Sequence, residues 1–231
     1  MESRFGHLAI EALFPRFCVS CKREGFLMCQ TCLDHWTPVS VPAFCAFCGV
    51  MGSTWTCGKC RKDVYLDGLT PFISYGNPLF RELLFSWKYD GDQSVQEIFL
   101  RSLRRALPSF SLPTSVSCVT YVPLHSSRER FRGFDQALQI AQWAGELFDL
   151  PIQTLVYRAQ RTVPRARTKQ EERRVGEMDD VFKLIDGVSI PEYILLCDDV
   201  FTSGSTMDAV ARVLKKHGAK TVWGFVLAKG G

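Results

Sequence analysis

Two groups of residues in this 231-residue chain have types and spacings that could do chemistry. The first is sulfur. Eight of the ten cysteines lie between Cys18 and Cys60, as four C-x-x-C pairs: Cys18/Cys21, Cys29/Cys32, Cys45/Cys48 and Cys57/Cys60. A C-x-x-C turn brings two thiolates onto one metal while nearby amides offset their charge, and two such turns complete a tetrahedral site. Eight thiolates therefore predict two zinc ions, and with every position filled by protein sulfur both are structural. Seven residues separate Cys21 from Cys29 and eight separate Cys48 from Cys57, which are hairpin lengths, whereas twelve separate Cys32 from Cys45. These intervals favour consecutive ribbons, Cys18/Cys21/Cys29/Cys32 and Cys45/Cys48/Cys57/Cys60, over interleaved ones. Thioredoxin-like redox chemistry is the competing reading, but it uses one C-x-x-C on a βαβ unit. Iron in place of zinc is a further alternative.

The second group is Asp198-Asp199 followed by Val200-Phe201-Thr202-Ser203-Gly204-Ser205-Thr206. The apolar run from Tyr193 to Cys197 delivers two adjacent carboxylates to the end of a strand, and a loop of small hydroxylic residues leads directly into a helix. Neighbouring acids suit the vicinal hydroxyls of a ribose, and a loop of amides and hydroxyls at a helix N-terminus suits a phosphate. Ribose 5-phosphate combines the two. The competing reading is an ordinary charged turn with capping residues.

The elements that must position these residues show in the hydrophobic periodicity. Leu69–Tyr75 is β-prone and ends at the turn Gly76-Asn77-Pro78, after which Leu79, Leu83 and Trp87 have helical spacing to Tyr89. Val95–Leu107 is a second helix, followed by a Pro- and Ser-rich linker and the short strand Cys118–Val122. Phe134, Ala137, Leu138, Ala141, Ala144 and Phe148 mark one helix face, and Pro151–Tyr157 reads as a strand. A buried strand over Ile194–Cys197, a helix over Thr206–His217 closed by Gly218, and a last strand over Thr221–Leu227 complete the pattern. Alternating strands and helices predict an α/β fold with a parallel sheet, whose ligands bind beyond the carboxyl ends of the strands. The expected division is an N-terminal helix (1–17), a small cysteine-rich double zinc ribbon (18–63) and the α/β domain (64–231). The cysteine-rich segment is too short and polar to hold itself by apolar burial, so metal must supply its stability. Cys118 and Cys197 sit in apolar runs and read as buried core thiols.

Composition narrows the function classes. Hydrophobic residues at 46% exclude a mainly disordered chain, and charged residues at 23% with mean hydropathy near zero exclude a multi-spanning membrane protein. Glu11 interrupts the apolar Leu8-Ala9-Ile10 stretch and no small-residue cleavage site follows, so the expected location is cytoplasmic. The net charge is +4, yet Arg158, Arg161, Arg165, Arg167, Lys169, Arg173 and Arg174 against Glu171 and Glu172 make 158–174 alone +5, leaving −1 elsewhere. Such a segment reads as a lid over an anionic site, as a groove for nucleic-acid phosphates, or as a solvated loop. Among the histidines only His125 lies in a candidate site loop; His7 and His35 read as helix-face residues, and His217 sits near a helix C-terminus.

The apolar strand, acid pair and hydroxylic Gly loop, in that order, resemble the phosphoribosyl-pyrophosphate motif of type I phosphoribosyltransferases. Two other segments extend the resemblance to most of the chain. Val122-Pro123-Leu124-His125 through Arg132-Gly133-Phe134-Asp135-Gln136-Ala137 is similar to the V-P-x-x…R-G-F-[ND]-Q-A signature of the ComF family, with Asp135 where Asn is more usual. Trp87-Lys88-Tyr89-Asp90-Gly91-Asp92 is similar to that family's K-Y-x-G-D segment, and a cysteine-rich double ribbon ahead of it is typical. The resemblance implies that Asp198 and Asp199 hold the ribose hydroxyls and that Thr202, Ser203, Gly204, Ser205 and Thr206 hold the 5-phosphate. It places the pyrophosphate, with Mg2+, on the loop of Pro123, Leu124, His125, Arg128, Arg130 and Arg132. Arg165, Arg167, Arg173 and Arg174 would form a basic lid. The family resemblance further implies a role in competence, handling incoming single-stranded DNA. The alternatives are an active Mg2+-dependent phosphoribosyltransferase of unknown acceptor, and an adaptor whose ribbons bind a helicase-like partner.

Overall fold

The computed structural model describes residues 15–36, 41–90, 93–110, 112–124, 134–159 and 181–230. The described helices are α1 (Gln30–His35), α2 (Pro78–Phe85), α3 (Ser94–Ala106), α4 (Gln136–Phe148) and α5 (Ser205–Lys216). The strands are β1 (Gly68–Ser74), β2 (Cys118–Tyr121), β3 (Val156–Arg158), β4 (Phe182–Leu184), β5 (Tyr193–Phe201) and β6 (Thr221–Lys229). Four of them form a wholly parallel sheet in the order β1-β6-β5-β2, so the α/β class expected from the alternating pattern is the observed one.

Local sequence sets the helix limits. Asn77 caps α2 by accepting from the Phe80 N–H at 3.0 Å, and Pro78 at the first helical position has no N–H to satisfy. Asp135 caps α4 by accepting from the N–H groups of Ala137 and Leu138. At the end of α5 the Gly218 N–H donates to the Lys215 carbonyl and the Ala219 N–H to the Leu214 carbonyl, the paired bonds of a Schellman stop. The helix expected to run to Tyr89 ends at Phe85, and a wider π turn over Ser86–Asp90 carries Trp87 into the interior. The strand expected over Pro151–Tyr157 is also different. The Val119 N–H donates to the Pro151 carbonyl and the Gln153 N–H to the Val119 carbonyl, so the chain runs beside β2 only at Ile152. It then leaves the sheet, and Val156–Arg158 pairs antiparallel with β4 instead.

The chain divides into two compact units, Met1–Val39 with Gly76–Pro108, and Ser40–Tyr75 with Ser109–Gly231. In the first, Phe99 is the aromatic hub, its ring centre 6.5 Å from Trp36, 5.6 Å from Phe80 and 5.7 Å from Trp87. Arg105 on α3 donates to the Leu33 and Asp34 carbonyls near the C-terminal end of α1, which favours a cation.

In the second unit the sheet is covered on both faces, which is why β5 and β6 read as continuous apolar runs. Met207, Val210, Ala211 and Leu214 of α5 pack with Ile194, Leu196, Val222 and Val226. On the opposite face Phe225 meets Phe148 of α4 at 5.7 Å and Phe110 at 5.5 Å, both edge-on. Cys118 and Cys197 are fully buried, as the sequence suggests, and burial pushes the Cys118 thiol up to about 11. Among the described residues no helix is long and apolar enough to cross a membrane.

Connectivity picks out one place in this sheet. After β2 the chain passes through α4 to Ile152 on the outer side, whereas after β5 it passes through α5 to β6 on the other. The connections diverge between β2 and β5, so a crevice opens beyond the carboxyl ends of those two strands.

Candidate functional site

The cysteines converge in consecutive groups. The Sγ atoms of Cys18, Cys21, Cys29 and Cys32 lie within 4.8 Å of one another, as do those of Cys45, Cys48, Cys57 and Cys60. Zn–S bonds of about 2.3 Å in a tetrahedron place sulfurs about 3.8 Å apart. The Cys21–Cys29 and Cys48–Cys57 separations are both 3.6 Å, so each group fits zinc in donor type and spacing.

The two groups are built alike. Each begins with a Phe in an antiparallel bridge, Phe17 to Glu24 and Phe44 to Met51, offset by 27 residues. The Cys18 N–H donates to the Arg23 carbonyl and the Cys45 N–H to the Val50 carbonyl, both at 2.8 Å. The residue after the second cysteine is left-handed in each, Lys22 at φ 61° and Gly49 at φ 76°. The N–H of the third cysteine donates to the sulfur of the first at 3.4 Å in both. Burial pushes the Cys18 thiol up, but the amides of Cys21, Cys29 and Ser20 outweigh it and bring it down to about 6. Against the same burial, the amides of Cys57, Cys48 and Phe47 bring Cys45 down to about 6. Burial and the Cys48 and Cys57 sulfurs push Cys60 up to about 12. The Cys60 amide lowers Cys57 as well, so the turn amides favour thiolates in both groups, as metal binding requires. The first group belongs to the first compact unit and the second to the unit containing the sheet.

The acid pair lies at the crevice. β2 pairs with β5 only as far as Tyr121↔Cys197, and the last bond on that side runs from the Val122 N–H to the Cys197 carbonyl. Among the described residues that edge of β5 carries no partner strand beyond Cys197, while the other edge stays paired to β6 as far as Phe201↔Lys229. Asp198 and Asp199 are both half-buried. Alternation along the strand sends their side chains to opposite faces, so a ligand touching both must straddle the open edge. The Asp198 carboxylate accepts from the Asp199 N–H at 2.8 Å.

The hydroxylic loop follows without a break. Thr202, Ser203 and Ser205 are exposed, Thr206 is half-buried, and the Ser203 and Ser205 hydroxyls are 3.0 Å apart. Gly204 caps α5 at φ 79°, where an L side chain is strained. A Cβ there would come 2.3 Å from the Phe201 ring and 2.8 Å from the Phe47 ring, so the loop closes only around glycine. Glycine contributes no side-chain capping oxygen, and the Ser205 N–H donates instead to the Ser203 hydroxyl at 3.4 Å.

Of the loop after β2, Pro123 is buried and Leu124 half-buried, whereas His125, Arg128, Arg130 and Arg132 lie outside the described residues. So do Arg165, Arg167, Arg173 and Arg174. Asp135 joins the two described ends of that loop. One carboxylate oxygen caps α4 and the other accepts from the Leu124 N–H at 3.1 Å. An amide in its place would have a single acceptor oxygen.

Two residues that the sequence reading passed over also serve this region. Asp208, in the first turn of α5, accepts from the N–H groups of Tyr65 at 2.6 Å and Leu66 at 3.0 Å. Burial pushes its carboxyl up against the effect of those two bonds. Phe47, inside the third C-x-x-C turn, packs edge-on against Phe201 at 5.5 Å. Neither has a sequence signature: a first-turn Asp reads as a helix-terminus charge, and a Phe between cysteines as filler.

No family model matches the chain. It is 31% identical over 154 residues to competence protein ComFC of Streptococcus pneumoniae, across 66% of this chain and 64% of that protein. It is 26% identical over 198 residues to competence protein F of Haemophilus influenzae, across 80% and 85%. It is 28% identical over 211 residues to DNA utilization protein YhgH of Salmonella typhi, across 82% and 89%. The chain thus spans just under two thirds of the pneumococcal relative and well over four fifths of the other two.

Proposed function

Because the chain belongs to the ComF family, we propose that it handles incoming single-stranded DNA in the cytoplasm during competence, and that it carries a binding site for phosphoribosyl pyrophosphate with Mg2+. The relatives' names, competence protein and DNA utilization protein, support the first half. One observation carries the second: the crevice between the carboxyl ends of β2 and β5 receives both the acid pair and a glycine-capped hydroxylic helix start.

In this reading Asp198 and Asp199 take the ribose hydroxyls across the open edge of β5, and Thr202–Thr206 with the first-turn amides of α5 take the 5-phosphate. Pro123 and Leu124 lead into the pyrophosphate loop, where His125, Arg128, Arg130 and Arg132 supply donors and positive charge. Mg2+ would neutralise pyrophosphate charge when bound. The four-cysteine groups hold two structural zinc ions. Arg165, Arg167, Arg173 and Arg174 close over the ligand or meet DNA phosphates, and a helicase-like competence protein is the partner proposed.

Calorimetric titration of the zinc-loaded protein with phosphoribosyl pyrophosphate and Mg2+ tests the ligand. Saturable binding that disappears in the Asp198→Asn/Asp199→Asn double variant is expected; a wild-type protein that releases no heat of binding overturns the assignment. Single-strand binding should weaken steeply with salt. It should also drop when the four lid arginines are neutralised.

A further inference from the structure

We infer that the second cysteine group is a brace for the phosphate loop, and that Phe47 is the positioning residue through which it acts. The ligand half of this inference rests on the phosphoribosyl reading; the mechanical half does not. Every residue involved lies in the sheet-containing unit.

Contacts reach the loop from both ends of the cysteine segment. From the turn between Cys45 and Cys48, Phe47 meets Phe201, the last residue of β5 before the loop, and its ring lies 2.8 Å from where a Gly204 Cβ would be. Lys229 at the end of β6 lies beneath the same aromatic group, its Nζ 5.7 Å from the Phe201 ring centre and 5.9 Å from that of Phe44. Past Cys60, the Tyr65 and Leu66 amides donate to Asp208 on the first turn of α5. The start of the loop and the first turn after it are thus both tied to one metal-binding segment. A backbone that must present amides to a phosphate gains from such fixing, because a loosely held donor loses its advantage in the ligand complex.

The chain contains its own control. In the first cysteine group the residue equivalent to Phe47 is Ser20, 27 positions earlier, and its backbone amide holds the Cys18 thiolate as the Phe47 amide holds Cys45. The ring of Phe47 is therefore not needed to build the metal turn. It is an addition made only where the turn faces the phosphate loop.

Phe47→Ser rewrites the second turn as Cys-Ala-Ser-Cys, close to the Cys-Val-Ser-Cys of the first. The 231-residue variant should keep the zinc content of the wild type. Amide hydrogen exchange over residues 201–208 should speed up about tenfold or more, while exchange in Thr221–Lys229 stays at the wild-type rate. Affinity for phosphoribosyl pyrophosphate should fall about tenfold, or roughly 1.4 kcal/mol, and Phe47→Leu should recover much of both effects. Unchanged exchange over 201–208 overturns the brace, whatever the ligand does. Exchange that rises equally in the loop and in β6 also overturns it, since that is general destabilisation. A wild-type protein that binds no phosphoribosyl pyrophosphate, combined with faster loop exchange in Phe47→Ser, overturns the ligand reading and upholds the brace.

Discussion

The two cysteine groups share a backbone and differ in what surrounds them. Both bridge a leading Phe, both turn left-handed after the second cysteine, and both aim the third cysteine's amide at the first sulfur. The first continues into α1, whose last carbonyls receive Arg105 and whose following Trp36 packs near Phe99. The second leads to Phe201 through Phe47 and to α5 through Asp208. The third-position side chains of the two turns have different targets: the Ser20 hydroxyl bonds the Cys32 sulfur, whereas the Phe47 ring meets Phe201. That position is specialised, serine in one copy and phenylalanine in the other.

Breaking the second group's contact from the ligand side should have the larger effect. In Gly204→Ala the new methyl meets the Phe201 and Phe47 rings inside ordinary contact distance, at a φ that costs alanine about 1–2 kcal/mol. Overpacking adds roughly 1–3 kcal/mol. Phosphoribosyl pyrophosphate binding should drop below detection by calorimetry, with the metal content unchanged. An alanine variant that binds normally would mean the rings yield freely and the loop is not held by them.

Asp208 sharpens the comparison more gently, because it attaches the far end of the same segment. Asp208→Ala strands two backbone donors and should lower stability by about 1 kcal/mol in urea unfolding. Asp208→Asn should behave differently. Both donors use one oxygen of the carboxylate, and an amide oxygen can take them too. Burial raises the folded-state pKa of this carboxyl above its ordinary 3.8. A raised carboxyl favours the folded state while protonated, and that contribution is lost as pH rises through the folded value. The asparagine variant should therefore match or exceed the wild type at pH 7 and lose its advantage in acid. The opposite order would place a stabilising charge at Asp208.

Much of this is legible in the sequence. Cysteine intervals favour consecutive over interleaved groups, because hairpin-length gaps join neighbouring pairs, and the sulfurs do converge that way. The capping role of Asp135 emerges only from the structure, whereas Gly218 marks a helix end because a glycine stop is local chemistry. The acid pair and hydroxylic loop were readable as one strand-to-helix unit for the same reason. What local signals could not carry was long-range placement. The return of Gly76–Pro108 to the unit that holds Cys18–Cys32 depends on Trp36, Phe80, Trp87 and Phe99 meeting across some sixty residues of chain. The departure of the chain from β2 after Gln153 depends on a partner strand some thirty residues ahead. Phe47 and Asp208 became functional candidates only once their targets were known.

The asymmetry between the two metal turns is tested most directly by titrating Cys18→Ser and Cys45→Ser side by side with phosphoribosyl pyrophosphate and Mg2+, with metal content measured on the same samples. Each variant should lose metal from its own group. Cys18→Ser should keep near-wild-type affinity, and Cys45→Ser should lose binding. Equal loss in both, or equal retention in both, would contradict the division of labour between the two cysteine groups.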